Sequence, residues 1–162
     1  MLLEGSCCCG LVSFTVHSEH AHPYNLCYCS ICRKTAGAGG YAINLSGEYQ
    51  TLRIQGQENI SVYRAQVTNE ETGKKTKSHL QRFFCKICGS SLWAWSPKWP
   101  ELVHPFASII DSSLPIPPER THLMTSFKTE WAVLRTDPQD QVFEQYPKES
   151  IAEWHKRLRL EN

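Results

Sequence analysis

Eight cysteines gathered into three tight clusters constrain this chain more than any other feature. They fall at Cys7, Cys8 and Cys9, then at Cys27, Cys29 and Cys32, then at Cys85 and Cys88. A disulfide framework spreads its cysteines so that distant segments can be stapled, whereas a metal site groups them a few residues apart. Clustering therefore favours metal ligation. The expected compartment argues the same way. Met1-Leu2-Leu3-Glu4-Gly5 lacks the basic and apolar blocks of a signal peptide, and a reducing cytoplasmic setting keeps thiols free.

At 162 residues the chain is long enough to bury a core of its own, so metal is not its only source of stability. An apolar fraction of 41% and a charged fraction of 20% are those of an ordinary globular protein. Net charge is +1 with acids and bases interspersed, which leaves no footprint for nucleic acid or an anionic membrane surface. No apolar run approaches the roughly 18 residues that cross a bilayer.

Short alternating runs predict strands at 11–16, 41–45, 52–54, 60–64 and 91–95. The mixed-charge stretch 66–78 reads as a solvated hairpin tip. Pro115, Pro117 and Pro118 make 112–119 a wrapping loop. One helix is expected over 148–160, with Ile151, Trp154 and Leu158 on the face that docks. The reading is one mostly-β domain over 1–162, with a core at about 4–135 and a terminal loop and helix at 136–162. Core packing is the default role for Trp93, Trp95, Trp99, Trp131 and Trp154.

Cys7 and Cys9 would share a face of an extended strand, with Cys8 facing away as a packed bystander and Gly10 letting the chain bend. Cys85-Lys86-Ile87-Cys88-Gly89 reads as a knuckle whose glycine takes a left-handed backbone. Together the two half-sites make a closed four-thiolate zinc site, a structural type with no vacancy for substrate. Cys27, Cys29 and Cys32 can wrap a second ion from three directions. Three protein ligands and a free fourth position describe a catalytic zinc. The alternative is a second closed site completed by His17, His20, His22 or His79. Soft thiolates select zinc over hard cations, which gives two Zn2+ per chain. Arg33 and Lys34, directly after the last ligand, either hold an anionic substrate or are solvated basic side chains.

At these residues the sequence resembles the glutathione-dependent formaldehyde-activating enzyme family, which includes centromere protein V. The matching motifs are Gly5-Ser6-Cys7-Cys8-Cys9-Gly10, Cys27-Tyr28-Cys29-Ser30-Ile31-Cys32-Arg33-Lys34 and Phe84-Cys85-Lys86-Ile87-Cys88-Gly89, in order across the first two thirds of the chain. His122, Trp131 and the terminal helix extend the likeness more loosely. The resemblance implies a mainly-β, antiparallel β-tent with zinc knuckles and a short C-terminal helix. It implies structural zinc on Cys7, Cys9, Cys85 and Cys88, and catalytic zinc on Cys27, Cys29 and Cys32. The implied activity is a carbon–sulfur lyase reaction joining formaldehyde to glutathione, so the expected partner is a glutathione-like thiol. Tyr28 departs from the family, which places His between the first two central cysteines. If that His moves a proton, a phenol with an ordinary pKa near 10 substitutes poorly at neutral pH. Two other readings stand beside the enzyme: a non-catalytic zinc module for a protein partner, and a thiol or zinc redox sensor.

Overall fold

The computed structural model describes residues 1–69 and 71–160. Leu2–Ser6 (β1) pairs antiparallel with Ser13–His17 (β2), and alternation along both strands turns Leu3, Phe14 and Val16 inward. Asn25–Cys27 (β3) runs into a short helix, Ser30–Ala36 (α1), and Ala42–Ile43 (β4) returns beside β3. Gly47–Glu48 (β5), Arg53–Gln55 (β6) and Ile60–Tyr63 (β7) follow. Gln66–Thr68 (β8) and Lys75–Lys77 (β9) form the exposed hairpin expected at 66–78, where Glu70 lies outside the described residues. Gln81–Cys85 (β10), Ser91–Trp95 (β11) and Leu102–Pro105 (β12) make the central meander. Thr121–Leu123 (β13), Gln141–Val142 (β14) and the helix Ile151–Arg157 (α2) complete the chain.

The protein is mainly β, and its sheets are antiparallel with one mixed exception. The largest sheet runs β5-β12-β11-β10-β7, and a smaller one runs β1-β2-β6. The exception is β14-β13-β3-β4, in which β13 runs parallel to both β14 and β3. Two cores result. One gathers Leu3, Phe14, Val16, Leu92, Trp93 and Val103, and it includes Cys7 and Cys85. The other gathers Ala42, Ala94, Phe106 and Leu123 around Cys27 and Cys32. Each sulfur cluster is thus rooted in its own core.

The C-terminal helix is shorter than the 148–160 expected, because its start is fixed by chemistry. Ser150 accepts from the Glu153 N–H while the Glu153 carboxylate accepts from the Ser150 N–H, a capping box. Trp154 is the residue that docks α2, stacking on Tyr24 with ring centroids 3.7 Å apart. The core role expected of five tryptophans holds for Trp93 and Trp154, whereas Trp99 and Trp131 are exposed. Among the described residues no helix is long and apolar enough to cross a membrane.

Candidate metal centres

The four sulfurs of Cys7, Cys9, Cys85 and Cys88 all lie within 4.8 Å of one another. Two turns build this group. Residues 7–10 are a turn and not the extended strand expected, closed by Gly10 N–H on the Cys7 carbonyl at 2.9 Å. The Cys85 carbonyl likewise accepts from Gly89 N–H at 2.8 Å. Both glycines take a left-handed backbone, φ +74° and +76°, which a side chain would strain. Cys7 and Cys85 sit in the core while Cys9 and Cys88 reach the surface. Ser90 ties the turns together. Its hydroxyl oxygen accepts from Cys8 N–H at 3.1 Å and lies 3.2 Å from Cys88 Sγ. Hydrogen bonds from Ser90, side chain first and backbone second, hold the Cys88 thiol down to about 5. Cys8 stands outside the group, as expected, but it is exposed and not packed.

Cys27, Cys29 and Cys32 form the second group within the same 4.8 Å limit. Cys27 ends β3, whereas Cys32 sits in the first turn of α1, a helix absent from the expectations above. Cys29 is the N-cap of that helix, its sulfur accepting from Cys32 N–H at 3.3 Å. Its thiol is held well below the ordinary range by hydrogen bonds from Cys27 first and Cys32 second. Cys27 is pushed up by its bonds to Cys29 and Cys32 and by burial. Three sulfurs this close cannot all carry charge without a cation among them. Among the described residues no histidine or carboxylate joins this group, so His17, His20, His22 and His79 do not complete it here. His17 instead meets Glu48 at 2.7 Å, and His79 meets Ser96 at 2.7 Å.

Neighbours that the sequence did not point to surround this group. Arg82, on β10 and only 7% exposed, donates from Nη2 to Cys32 Sγ at 3.4 Å. Its charge favours the Cys32 thiolate. Tyr146 presents most of its surface to solvent. Desolvation first, then the charges of Cys27, Cys29 and Cys32, push this phenol up to about 12. Neither residue has a spacing signal: one is an arginine on a strand, the other lies in an irregular tail. Arg33 and Lys34 line a groove of about 850 Å³ beside α1, together with Gly37, Gly39 and Tyr41.

Tyr28 faces away from the sulfurs, as alternation from Cys27 requires. It is 1% exposed, and its hydroxyl lies 3.0 Å from His122 Nδ1. His122 Nε2 is 3.5 Å from Asp140, an ion-pair contact too long for a good hydrogen bond. Burial alone would raise the Asp140 carboxyl. The N–H groups of Asp137 and Arg120, then His122, hold it below the usual carboxylate range. Burial pushes Tyr28 itself up to about 12, with Tyr41 adding to the shift. Tyr28 therefore anchors the cysteine loop to β13 and its neighbouring loop and is a weak acid there. A cavity of about 310 Å³ opens beside this Tyr28–His122–Asp140 chain.

Both groups fit a tetrahedral thiolate-bound ion. Zinc–sulfur bonds of about 2.3 Å place sulfurs at tetrahedral vertices roughly 3.8 Å apart. Cys7 to Cys9 is 3.5 Å and Cys9 to Cys85 is 3.8 Å, far beyond the roughly 2 Å of a disulfide. The donor set is all thiol, which suits zinc.

Comparison with known proteins adds three findings. A family model described as glutathione-dependent formaldehyde-activating enzyme matches residues 2–126. A Halomonas elongata protein is 57% identical over 161 residues, 99% of each chain, and carries that same description as a provisional name. A crystal structure of a Rhodobacter sphaeroides protein is 25% identical, with a TM-score of 0.49 over 69% of this chain and 91% of that one.

Proposed function

The chain belongs to the glutathione-dependent formaldehyde-activating enzyme family, and from that premise we propose a zinc-dependent carbon–sulfur lyase acting on the adduct of a glutathione-like thiol and a small aldehyde. The observation that carries this reading is the three-sulfur group. Its cysteines leave room for one more donor, whereas the four-sulfur group is complete. Cys7, Cys9, Cys85 and Cys88 would hold a structural ion. Cys27, Cys29 and Cys32 would hold the one that meets substrate. Zinc there supplies a Lewis acid that lowers the pKa of an added thiol.

The surrounding residues divide the remaining work. Arg82 offsets the negative charge of the sulfurs from the buried side, so that one more thiolate can approach. Arg33 and Lys34, on the groove beside α1, suit the carboxylates of a peptide thiol. In the forward direction the thiol sulfur forms a bond to the aldehyde carbon, and the carbonyl π pair moves onto oxygen. That oxygen ends with the proton the thiol gave up. Reversal breaks the carbon–sulfur bond and restores the aldehyde.

Exchange spectroscopy on glutathione and 13C-formaldehyde tests this. The protein should accelerate interconversion with the hydroxymethyl adduct above the spontaneous rate, and Cys29→Ser should return it to that rate. No acceleration by the wild-type protein, with no glutathione binding, would remove this substrate pair from consideration.

A further inference from the structure

Away from both cysteine groups, three histidines meet where α2 docks against the segment joining β2 to β3. His20 makes an antiparallel bridge to Ser46, and His22 follows two residues later. His155, on α2, is 0% exposed. Its ring stands edge-on to His20 with centroids 4.7 Å apart, and 5.2 Å from His22. His155 Nδ1 lies 2.8 Å from the Ile151 carbonyl oxygen one helical turn back. A carbonyl only accepts, so the N–H sits on Nδ1 and Nε2 carries a lone pair. That Nε2 has no hydrogen-bond partner among the described residues, and neither does the buried Nδ1 of His22.

Buried polar atoms are almost always paired, and leaving one unpaired costs about 1–3 kcal/mol. Packing does not explain two such nitrogens on neighbouring rings, because a phenylalanine would fill the same space without that cost. A shared cation does explain them. We propose that His20, His22 and His155 form a third metal site, taking a divalent transition cation of the zinc type through three imidazoles.

The local chemistry agrees with such a ligand set. Metal-bound histidines typically donate their other ring N–H to a carbonyl or carboxylate, as His155 does to Ile151. Imidazole donors suit zinc, copper and nickel and discriminate against magnesium and calcium. Among the described residues only the two cysteine groups have all ligand atoms within 4.8 Å, so these imidazoles close on an ion by turning their rings. His20 and His22 are half-buried, whereas His155 is buried and held by its carbonyl bond. An ion held this way would tie the seven-residue helix α2 to the N-terminal third of the chain. This site goes beyond the proposed lyase centre and does not depend on it.

The test is metal stoichiometry in the zinc-loaded full-length protein, dialysed against rising free Zn2+, with thermal unfolding measured on the same samples. Wild type is expected to bind one more ion per chain than His20→Ala or His22→Ala, and to gain thermal stability as that ion binds. Both variants alter half-buried positions and leave His155 and the cysteines untouched. Equal ion counts in wild type and variants overturn the site, whether the count is two or three. The comparison counts one ion and reads no glutathione chemistry, so it stands or falls apart from the lyase reading.

Discussion

The two cysteine groups use the same donor atom and are built in opposite ways. In the four-sulfur group, two core cysteines are joined to two surface ones across a long sequence gap, from turns whose glycines take the left-handed backbone the turns require. In the three-sulfur group all donors come from one short segment, Cys27 and Cys32 are buried, and Cys29 is half-exposed. With an ion bound, the first arrangement would cross-link the fold and close around it. The second hangs on one loop, so the fold depends on it less and the open side stays available. On the proposed reading, a structural and a reactive metal centre would differ in connectivity as much as in ligand count.

Substitutions can break that contrast, and the largest effect is expected at Cys85. Cys85→Ser removes a fully buried donor that joins the knuckle to the N-terminal turn. It should cost one ion and at least about 3 kcal/mol of stability. Metal analysis with denaturant unfolding would show it. Cys29→Ser should also lose one ion, together with thiol binding, but destabilise by less than about 2 kcal/mol. If the two variants prove equally unstable, the three-sulfur group is structural as well.

Arg82→Met sharpens the same contrast from outside the ligand set. Loss of the charge beside Cys32 should weaken zinc affinity at the three-sulfur group about tenfold or more and leave the other group unchanged, as chelator competition would reveal. Tyr28→Phe is smaller still. Removing the bond to His122 should cost about 1 kcal/mol while both ions stay bound. Loss of an ion in that variant would mean that Tyr28 positions the sulfurs more strongly than one hydrogen bond allows.

Acid provides the mildest perturbation. Burial lowers the His104 pKa in the folded state, so the unfolded chain takes up that proton first as pH falls below about 6.5. Its contribution to stability is complete above that pH and declines below it. His104→Gln should flatten this part of the curve. Whatever acid sensitivity remains then reports other groups, with protonation of the metal thiolates chief among them.

The grouping of the cysteines was legible because they cluster in sequence, and the partition into four and three that the motifs suggest is the one the fold brings together. Strands such as Ser91–Trp95 were legible for a similar reason: a local pattern bounded by turn residues. What escaped depends on distant contact. The helix Ser30–Ala36 starts on a cysteine that doubles as cap and candidate ligand, so its signature was absorbed into the motif. The parallel pairing of β13 with β3 joins residues 96 positions apart, Thr121 with Asn25, and nothing local announces it. Arg82 reaches the cysteine loop, and Asp140 reaches His122, only through folding. Tyr28 reads as a weak replacement for histidine in the sequence, whereas the fold gives it a partner in His122 and a place on the far side of the loop.

The central claim is that one metal centre is closed and the other accepts a thiol. Cobalt substitution at both cysteine groups tests this most directly, because visible bands and sulfur-to-metal charge transfer report each added thiolate. Glutathione should change the spectrum of one cobalt per chain and add one sulfur ligand to it, and Cys29→Ser should abolish the change. An unchanged spectrum, or an equal change at both ions, would contradict the account.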